Sequence, residues 1–384
     1  MSQAKKIRVA VLYGGRSGEH EVSLSSALNV IQNLDRERFE VVPIGIDKQG
    51  AWFLGDDNLK KELTDSAKLH LSRDAEKMLF NPELLGQQMQ AVQPAQMLTQ
   101  AKKSERIFDV IFPVIHGTLC EDGTVQGLLE LADVPYVGCG VLSSAIGMEK
   151  DISKRLIKAA GIRVADYRVL HRGQWDKNNT PCCEWLANEL GFPVFVKPAN
   201  TGSSVGVEKV KRAEELQAAI QKAFRYDTKV VVEQGIDALE LEVAVLESQE
   251  YGSDPIISVV GEVKPSHEFY SYAAKYLDEN GAELFIPAQI DAALQAKVQQ
   301  AAKTIFKVLE CEGMARVDLF LERNTNEIYF NEINTIPGFT QISMYPKLMD
   351  ATGISYSELL THLISLAIAR HARKSRLSRE YVAG

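Results

Sequence analysis

The chain has 384 residues, more than one ordinary hydrophobic core takes up and enough for two or three packed units. With 45% hydrophobic and 24% charged residues it has the balance of a soluble globular protein, and a net charge of −8 removes the basic face that nucleic acid requires. Five cysteines with no C-x-x-C pair argue against a disulfide framework or a structural zinc site, and the leading apolar run at 7–12 is too short to cross a membrane, so the chain reads as cytoplasmic with no membrane partner.

Strand-like runs at 7–13, 39–46 and 107–115 accompany a helix whose apolar residues Leu24, Ala27, Leu28 and Ile31 keep helical spacing. The pattern predicts an N-terminal parallel sheet with ligands at the carboxyl ends of its strands, where Gly14-Gly15 and His116-Gly117 stand. Between 55 and 105 the sequence is polar and weakly periodic, an insertion with some helix. A second unit opens near Ser143 with a helix that ends at Gly161. An extended run at 192–198, a glycine-rich connection into 205–210, a helix at 213–226 and a strand at 229–234 complete it. The third unit has strands near 241–246 and 256–263 and a long helix after Asp291, striped with Leu294, Val298, Ala301, Ile305 and Val308. Strands at 315–322 and 327–334 and a closing helix at about 356–372 follow. The fold class is therefore α/β, turning to α+β in the C-terminal part, with divisions at 1–142, 143–233 and 234–384. The basic stretch 370–379 reads as the solvated end of the last helix, where positive charge complements the helix dipole.

Within 315–334, residues two apart share a strand face, so Arg316 projects with Asp318 and Glu332 with Asn334. Asp318, Glu332 and Asn334 are the hard oxygen donors that Mg²⁺ prefers, and they lead into a turn, Thr335-Ile336-Pro337-Gly338, rather than into more strand. The alternative is a polar sheet face in water. The loop from Lys197 to Gly206 carries small residues and glycines whose N–H groups can cradle phosphate, with Lys197 as a point charge aimed into it. It is no Walker loop, since G-x-x-x-x-G-K-[ST] is absent. Residues 267–276 crowd three tyrosines, a phenylalanine and Lys275 into a run with neither helical nor strand period, which suits a lid as well as it suits surface packing. Gly14-Gly15-Arg16-Ser17-Gly18-Glu19-His20 lacks the dinucleotide spacing but presents Glu19 at a helix start, as a ligand for a charged small molecule or as a first-turn acid.

In their order, these segments resemble the D-alanine–D-alanine ligases of the ATP-grasp superfamily over nearly the whole chain. The resemblance runs through residues 14–23, His116-Gly117, Glu121-Asp122-Gly123, the loop 197–206, the aromatic run to Tyr276, Arg316-Val317-Asp318 and residues 331–338. It implies an ATP-grasp fold behind an N-terminal parallel-sheet (pre-ATP-grasp) domain. ATP would be a substrate, with two Mg²⁺ or Mn²⁺ held by Asp318, Glu332 and Asn334; a role for a monovalent cation stays open. Lys150, Lys197, Ser204 and, from the lid, Lys275 would meet the phosphates. Glu233 and the backbone near Ile236 would hold adenine, and Glu240 the ribose; where many relatives have lysine after the hinge glutamate, this chain has Gln234. Glu19, supported by Ser203 and Tyr276, would pair with the first D-alanine, beside His116. Arg316 and the Gly338 N–H would form an oxyanion hole, and Ser343 and Met344 would receive the second D-alanine. The same resemblance implies a homodimer and a place in peptidoglycan synthesis. Its rivals are a D-lactate- or D-serine-using ligase of the same fold and a nucleotide-binding regulator without chemistry.

Overall fold

Strand β1 (Ile7–Gly14) is covered on both sides, which is why its apolar residues run on without alternating. In this computed structural model, which describes residues 5–55, 89–92, 106–265 and 282–381, β1 pairs in parallel with β2 (Phe39–Ile46) and β5 (Val110–Pro113). Helix α1 (His20–Asn33) makes the crossover from β1 to β2. The expected parallel sheet is extended by two antiparallel strands, β3 (Trp52–Gly55) and β4 (Met89–Val92), giving the order β4-β3-β2-β1-β5. β4 lies inside the polar stretch read as an insertion with some helix; most of that stretch, like residues 267–276, is outside the described residues. β5 is shorter than the run that announced it, and its ladder stops at Pro113, a residue with no N–H to donate.

Helices α2 (Thr124–Leu131), α3 (Val141–Met148) and α4 (Lys150–Ala159) lead out of this sheet. Glu149 starts α4 as its N-cap, its carboxylate accepting from the Ile152 N–H at 2.6 Å. After β6 (Arg163–Val164), an antiparallel sheet forms in the order β7-β10-β8-β9 from β7 (Tyr167–His171), β8 (Val194–Pro198), β9 (Glu208–Val210) and β10 (Lys229–Gln234). Helices α5 (Arg172–Leu190) and α6 (Ala213–Ala223) cover it through Trp175, Leu186, Leu216 and Ile220. α5 has no counterpart in the sequence reading. Pro181 and a non-helical Asn178 break it, so no continuous apolar stripe marks it.

The largest sheet, β13-β12-β11-β14-β15-β6, is built from β11 (Ala238–Leu246), β12 (Ile256–Pro265), β13 (Ala282–Phe285), β14 (Met314–Glu322) and β15 (Ile328–Asn334). All its pairings are antiparallel except that of β15 with β6, so Val164, from the middle of the chain, joins the C-terminal core together with Ile157 of α4. Helix α7 (Ala292–Val308) packs Val298, Ala302 and Ile305 on that core. Helices α8 (Met344–Ala351) and α9 (Tyr356–Lys374) pack on the other side, where Tyr345, Leu348, Leu359 and Leu363 share one core with Val9, Val11, Leu24 and Leu28 of the first unit. The basic stretch at the end of α9 is therefore not a solvated terminus throughout. Arg370 is buried, donating to the carbonyls of Gly138 at 2.6 Å and Tyr136 at 2.8 Å, and Lys374 pairs with Glu130 at 2.7 Å. Among the described residues no helix is long and apolar enough to cross a membrane.

Candidate active site

The first wall of the site is where β1 runs out. Gly14 holds φ +87° and lies so close to β2 that a Cβ there would stand 2.1 Å from the Ile46 carbonyl oxygen. The turn it permits delivers Glu19 to the start of α1. Glu19 does not cap the helix with its side chain; instead Ser203, from the loop after β8, donates to its carboxylate. Gly117 and Gly202 face the same carboxylate, and a Cβ on either would be within 2.7 and 2.8 Å of Oε2. Three chain segments thus close on one buried acid. His116 is buried beside them, its Nδ1 3.0 Å from the Ile336 carbonyl and 3.8 Å from Glu121, its Nε2 3.3 Å from Ser26. Burial resists charge on this ring, but Glu121 and Glu19 outweigh it and hold the imidazole pKa above its ordinary value.

The second wall is the β14–β15 hairpin, where the register places Asp318 opposite Glu332 and Arg316 opposite Asn334. The Asn334 amide donates to Asp318 at 3.0 Å, and Arg316 grips Asp318 through two bonds of 2.7 Å while pairing with Glu242 of β11 at 2.9 Å. Burial works against the guanidinium charge, yet Asp318 and Glu242 raise its pKa well above normal. The chain then turns through 335–343, and that turn is held by its main chain. The Phe339 carbonyl accepts from Asn29 at 3.0 Å and from the Tyr356 hydroxyl at 2.6 Å, and the Phe339 N–H donates to Ser26 at 3.2 Å. Ser343 closes the turn by accepting from the Thr340 N–H at 3.0 Å, and its Oγ lies where a Cβ on Gly338 would be, 2.7 Å away.

A third group lies deeper, between the two later sheets. Lys150 Nζ donates to the Thr201 carbonyl at 2.6 Å, tying α4 to the glycine-rich loop, in which Ser203, Ser204 and Gly206 all take positive φ. Lys197 does not point freely into that loop as its sequence position suggested. Its Nζ is 3.4 Å from Glu233, whose carboxylate it shares with Lys154 at 3.1 Å. Burial disfavours charge on Glu233, and the two lysines more than reverse this, lowering its pKa. For Lys150 and Lys154 burial prevails and lowers theirs.

A cavity of about 120 Å³ joins the first two walls, lined by Glu19, His116, Ser203, Arg316, Glu332, Asn334, Gly338, Ser343 and Met344 among others. The candidate residues from the sequence therefore fall into two places. Lys150, Lys197 and Glu233 gather behind this cavity, while Ile236 and Glu240 follow on from β10, Glu240 standing opposite Val263 and Phe320. Lys275 and Tyr276 lie outside the described residues. The sequence reading gave no part to Lys154, Glu242 or Thr340. Lys154 could have been found, since it stands one helical turn after Lys150 and so on the same face; Glu242 gave no local signal, because only the β11–β14 register brings it to Arg316.

A loop-bearing antiparallel sheet and a larger sheet with an acidic hairpin, set about a group of buried lysines, make up the ATP-grasp fold. Solved structures agree over almost the whole chain. The D-alanine-D-alanine ligase from Coxiella burnetii matches with TM-score 0.78 and 35% identity, covering 97% of each chain. The VanG D-Ala:D-Ser ligase from Enterococcus faecalis matches with TM-score 0.77 and 37% identity, covering 94% of this chain and all of its own. Within that class the chain belongs to the D-ala D-ala ligase family, whose N-terminal part matches residues 8–139 and C-terminal part residues 156–365. The D-alanine–D-alanine ligase A of Bradyrhizobium diazoefficiens is 53% identical over 382 residues, 98% of this chain and 99% of its own length.

Proposed function

We propose that this chain joins two molecules of D-alanine at the expense of ATP, by way of a D-alanyl phosphate, to supply peptidoglycan synthesis, and that the cavity between Glu19 and the 335–343 turn is where it does so. The observation that carries the reading is the meeting of a buried carboxylate, Glu19, with a fixed guanidinium, Arg316, across one small cavity. Glu19 offers a charge partner for an ammonium and Arg316 one for a developing oxyanion, about what two small zwitterions require. ATP, the family's co-substrate, fits against Lys150, Lys197, Ser204 and the rest of the 202–206 loop, with Glu233, Ile236 and Glu240 at its adenosine end.

A carboxylate is a poor electrophile, so it must first be activated. An oxygen of the first D-alanine attacks the γ-phosphorus of ATP, the bond to ADP breaks, and an acyl phosphate forms. Glu19, with Ser203, holds the ammonium of that substrate while His116 packs beside it. The amine of the second D-alanine, its carboxylate held at Ser343 and Met344, then attacks the acyl carbon, and phosphate leaves. Arg316 and the Gly338 N–H face the oxygen that gains charge; in other enzymes one such donor is worth roughly 3–4 kcal/mol. Asp318, Glu332 and Asn334 suit Mg²⁺ or Mn²⁺ by their hard oxygens and by their placement on one hairpin, where the Asn334 amide bonds Asp318 and Glu332 stands opposite it. Among the described residues no three His, Cys, Asp or Glu could hold a metal by themselves, so phosphate oxygens and water would complete the coordination. The metal supplies charge neutralisation on the transferred phosphoryl group. The cytoplasm, which supplies ATP, is the compartment this chemistry needs, and a homodimer is the assembly to look for by sedimentation.

A D-serine-using reading is favoured by one observation, the likeness to a D-Ala:D-Ser ligase along the full fold. Incubating the enzyme with ATP, D-alanine and equal D-serine or D-lactate, and weighing the products, separates the readings. D-alanyl-D-alanine should dominate at neutral pH; a mixed product in excess would reassign the second substrate.

A further inference from the structure

Glu233 is a buried carboxylate with two ammonium partners on one oxygen, and the two are not equivalent. The Lys197 side chain is 13% exposed and 3.4 Å from Oε2; that of Lys154 is 1% exposed and 3.1 Å from the same atom. Lys154 is also tied elsewhere. Its Nζ donates to the Asn331 carbonyl at 3.1 Å and stands 5.7 Å from the centre of the Phe330 ring. Lys197 stands equally near a ring, 5.7 Å from that of Phe195, but it is the more exposed of the two and the farther from Glu233, and so the partner that can leave.

We propose that Lys154 is a positioning residue for the nucleotide: it is the permanent counter-charge of Glu233, it frees Lys197 to turn to phosphate, and it ties β10 to the main chain of β15 next to Glu332. The argument is one of charge. If Lys197 swings from Glu233 to a phosphate oxygen, a buried carboxylate would lose its last ammonium partner among the described residues were Lys154 absent, and that loss opposes nucleotide binding. With Lys154 in place the carboxylate stays paired throughout. Because the same ammonium holds the carbonyl of Asn331, it also fixes the backbone one residue before Glu332. The lysine reaches both strands only because α4 lies along the boundary of the two sheets, its Ile157 packed in the core of the larger one.

This inference rests on the reading that ATP binds here, and the experiment keeps the two apart by measuring ADP and ATP binding calorimetrically without amino acid, alongside steady-state ligation. Lys154→Met should weaken ATP binding and raise the KM for ATP about tenfold or more, with the KM for D-alanine changed less than about twofold. Because Glu233 also stands at the proposed adenosine end, the double variant is compared with Glu233→Gln alone: Lys154→Met should cost much less ATP affinity in that background, where no charge is stranded, than in the wild type. Unchanged ATP binding in Lys154→Met overturns the proposal. So do an equal rise in both KM values, or a loss of ATP affinity from Lys154→Met that is as large in the Glu233→Gln background as in the wild type. If Lys154→Met does not fold, the double variant must fold and bind; one that fails likewise shows Lys154 to be structural only. A wild-type protein that binds ATP but makes no dipeptide would refute the ligation reading and leave this inference standing.

Discussion

Glu332 and Asp318 face each other across one hairpin, but their surroundings differ. Arg316 and Asn334 both bond Asp318, and Glu332 is among the residues that line the cavity. Glu332→Gln should therefore raise the Mg²⁺ concentration needed for half-maximal rate by about tenfold or more while leaving the fold intact, since one charged donor becomes neutral. Rates measured across a Mg²⁺ series check this, and an unchanged requirement removes Glu332 from the metal site. His116 makes a prediction of opposite kind. Its folded pKa is raised, so the stability its charged form contributes is fully present below the unfolded value of about 6.5 and is lost as pH rises through the folded value. Comparing wild type with His116→Gln by thermal unfolding, without substrates, should show a deficit that is largest at acid pH and shrinks above neutrality; a deficit constant with pH would assign the ring to packing alone. At this scale the sequence displayed the two halves of the hairpin, because strand alternation puts Asp318 with Arg316 and Glu332 with Asn334, and the β14–β15 register then sets Asp318 opposite Glu332. It could not display the double claim on Glu233, which depends on α4 and β8 meeting at β10.

Among the elements, the turn after β1 and the last helix are the most exposed to single changes. Gly14→Ala would set a Cβ against the Ile46 carbonyl at a backbone angle only glycine tolerates well. A loss of about 2 kcal/mol or more is expected, read as a fall in the urea midpoint, and a value near zero would mean that β1 and β2 can part freely. At the other end, Ser355 and Glu358 form a reciprocal capping box on α9. Ser355→Ala should cost about 1 kcal/mol in the same assay. The elements most easily read from sequence were those with a clean period, such as α7 with its cap at Asp291 and its stripe through Val298 and Ile305. α5, with a proline and a kink, and the two-residue β6 carry no period to read.

Over the whole molecule, the first and last thirds are one structure. α9 crosses back to share a core with β1 and α1, and Arg370 locks the junction through two main-chain carbonyls and Glu312 at 3.3 Å, with its guanidinium over the Tyr136 ring at 4.6 Å. Arg370→Met would leave those acceptors buried and unpaired at a cost of about 3 kcal/mol. Far-UV and intrinsic-fluorescence melts that coincide in the wild type should separate in this variant, as the first unit loosens before the rest; coincident melts would place the junction's strength in the apolar core instead. None of this was legible beforehand, because the charges of 370–379 look like any basic helix end, and Tyr136, Gly138 and Glu130, which they hold, lie more than two hundred residues earlier.

The turn at 335–343 has one more consequence. It is fastened by main-chain atoms, through the carbonyls of Ile336 and Phe339 and the N–H of Phe339, to Asn29, Ser26, His116 and Tyr356. The Ile342 side chain lines the cavity and is 64% exposed, whereas the Thr340 hydroxyl is tied to that of Ser343 at 2.8 Å. On the proposed reading of the cavity, position 342 on the rim can therefore change while the main chain around Gly338 stays where it is. Such a scaffold can give rise to enzymes with a new second amino acid by small steps, each one still a working ligase.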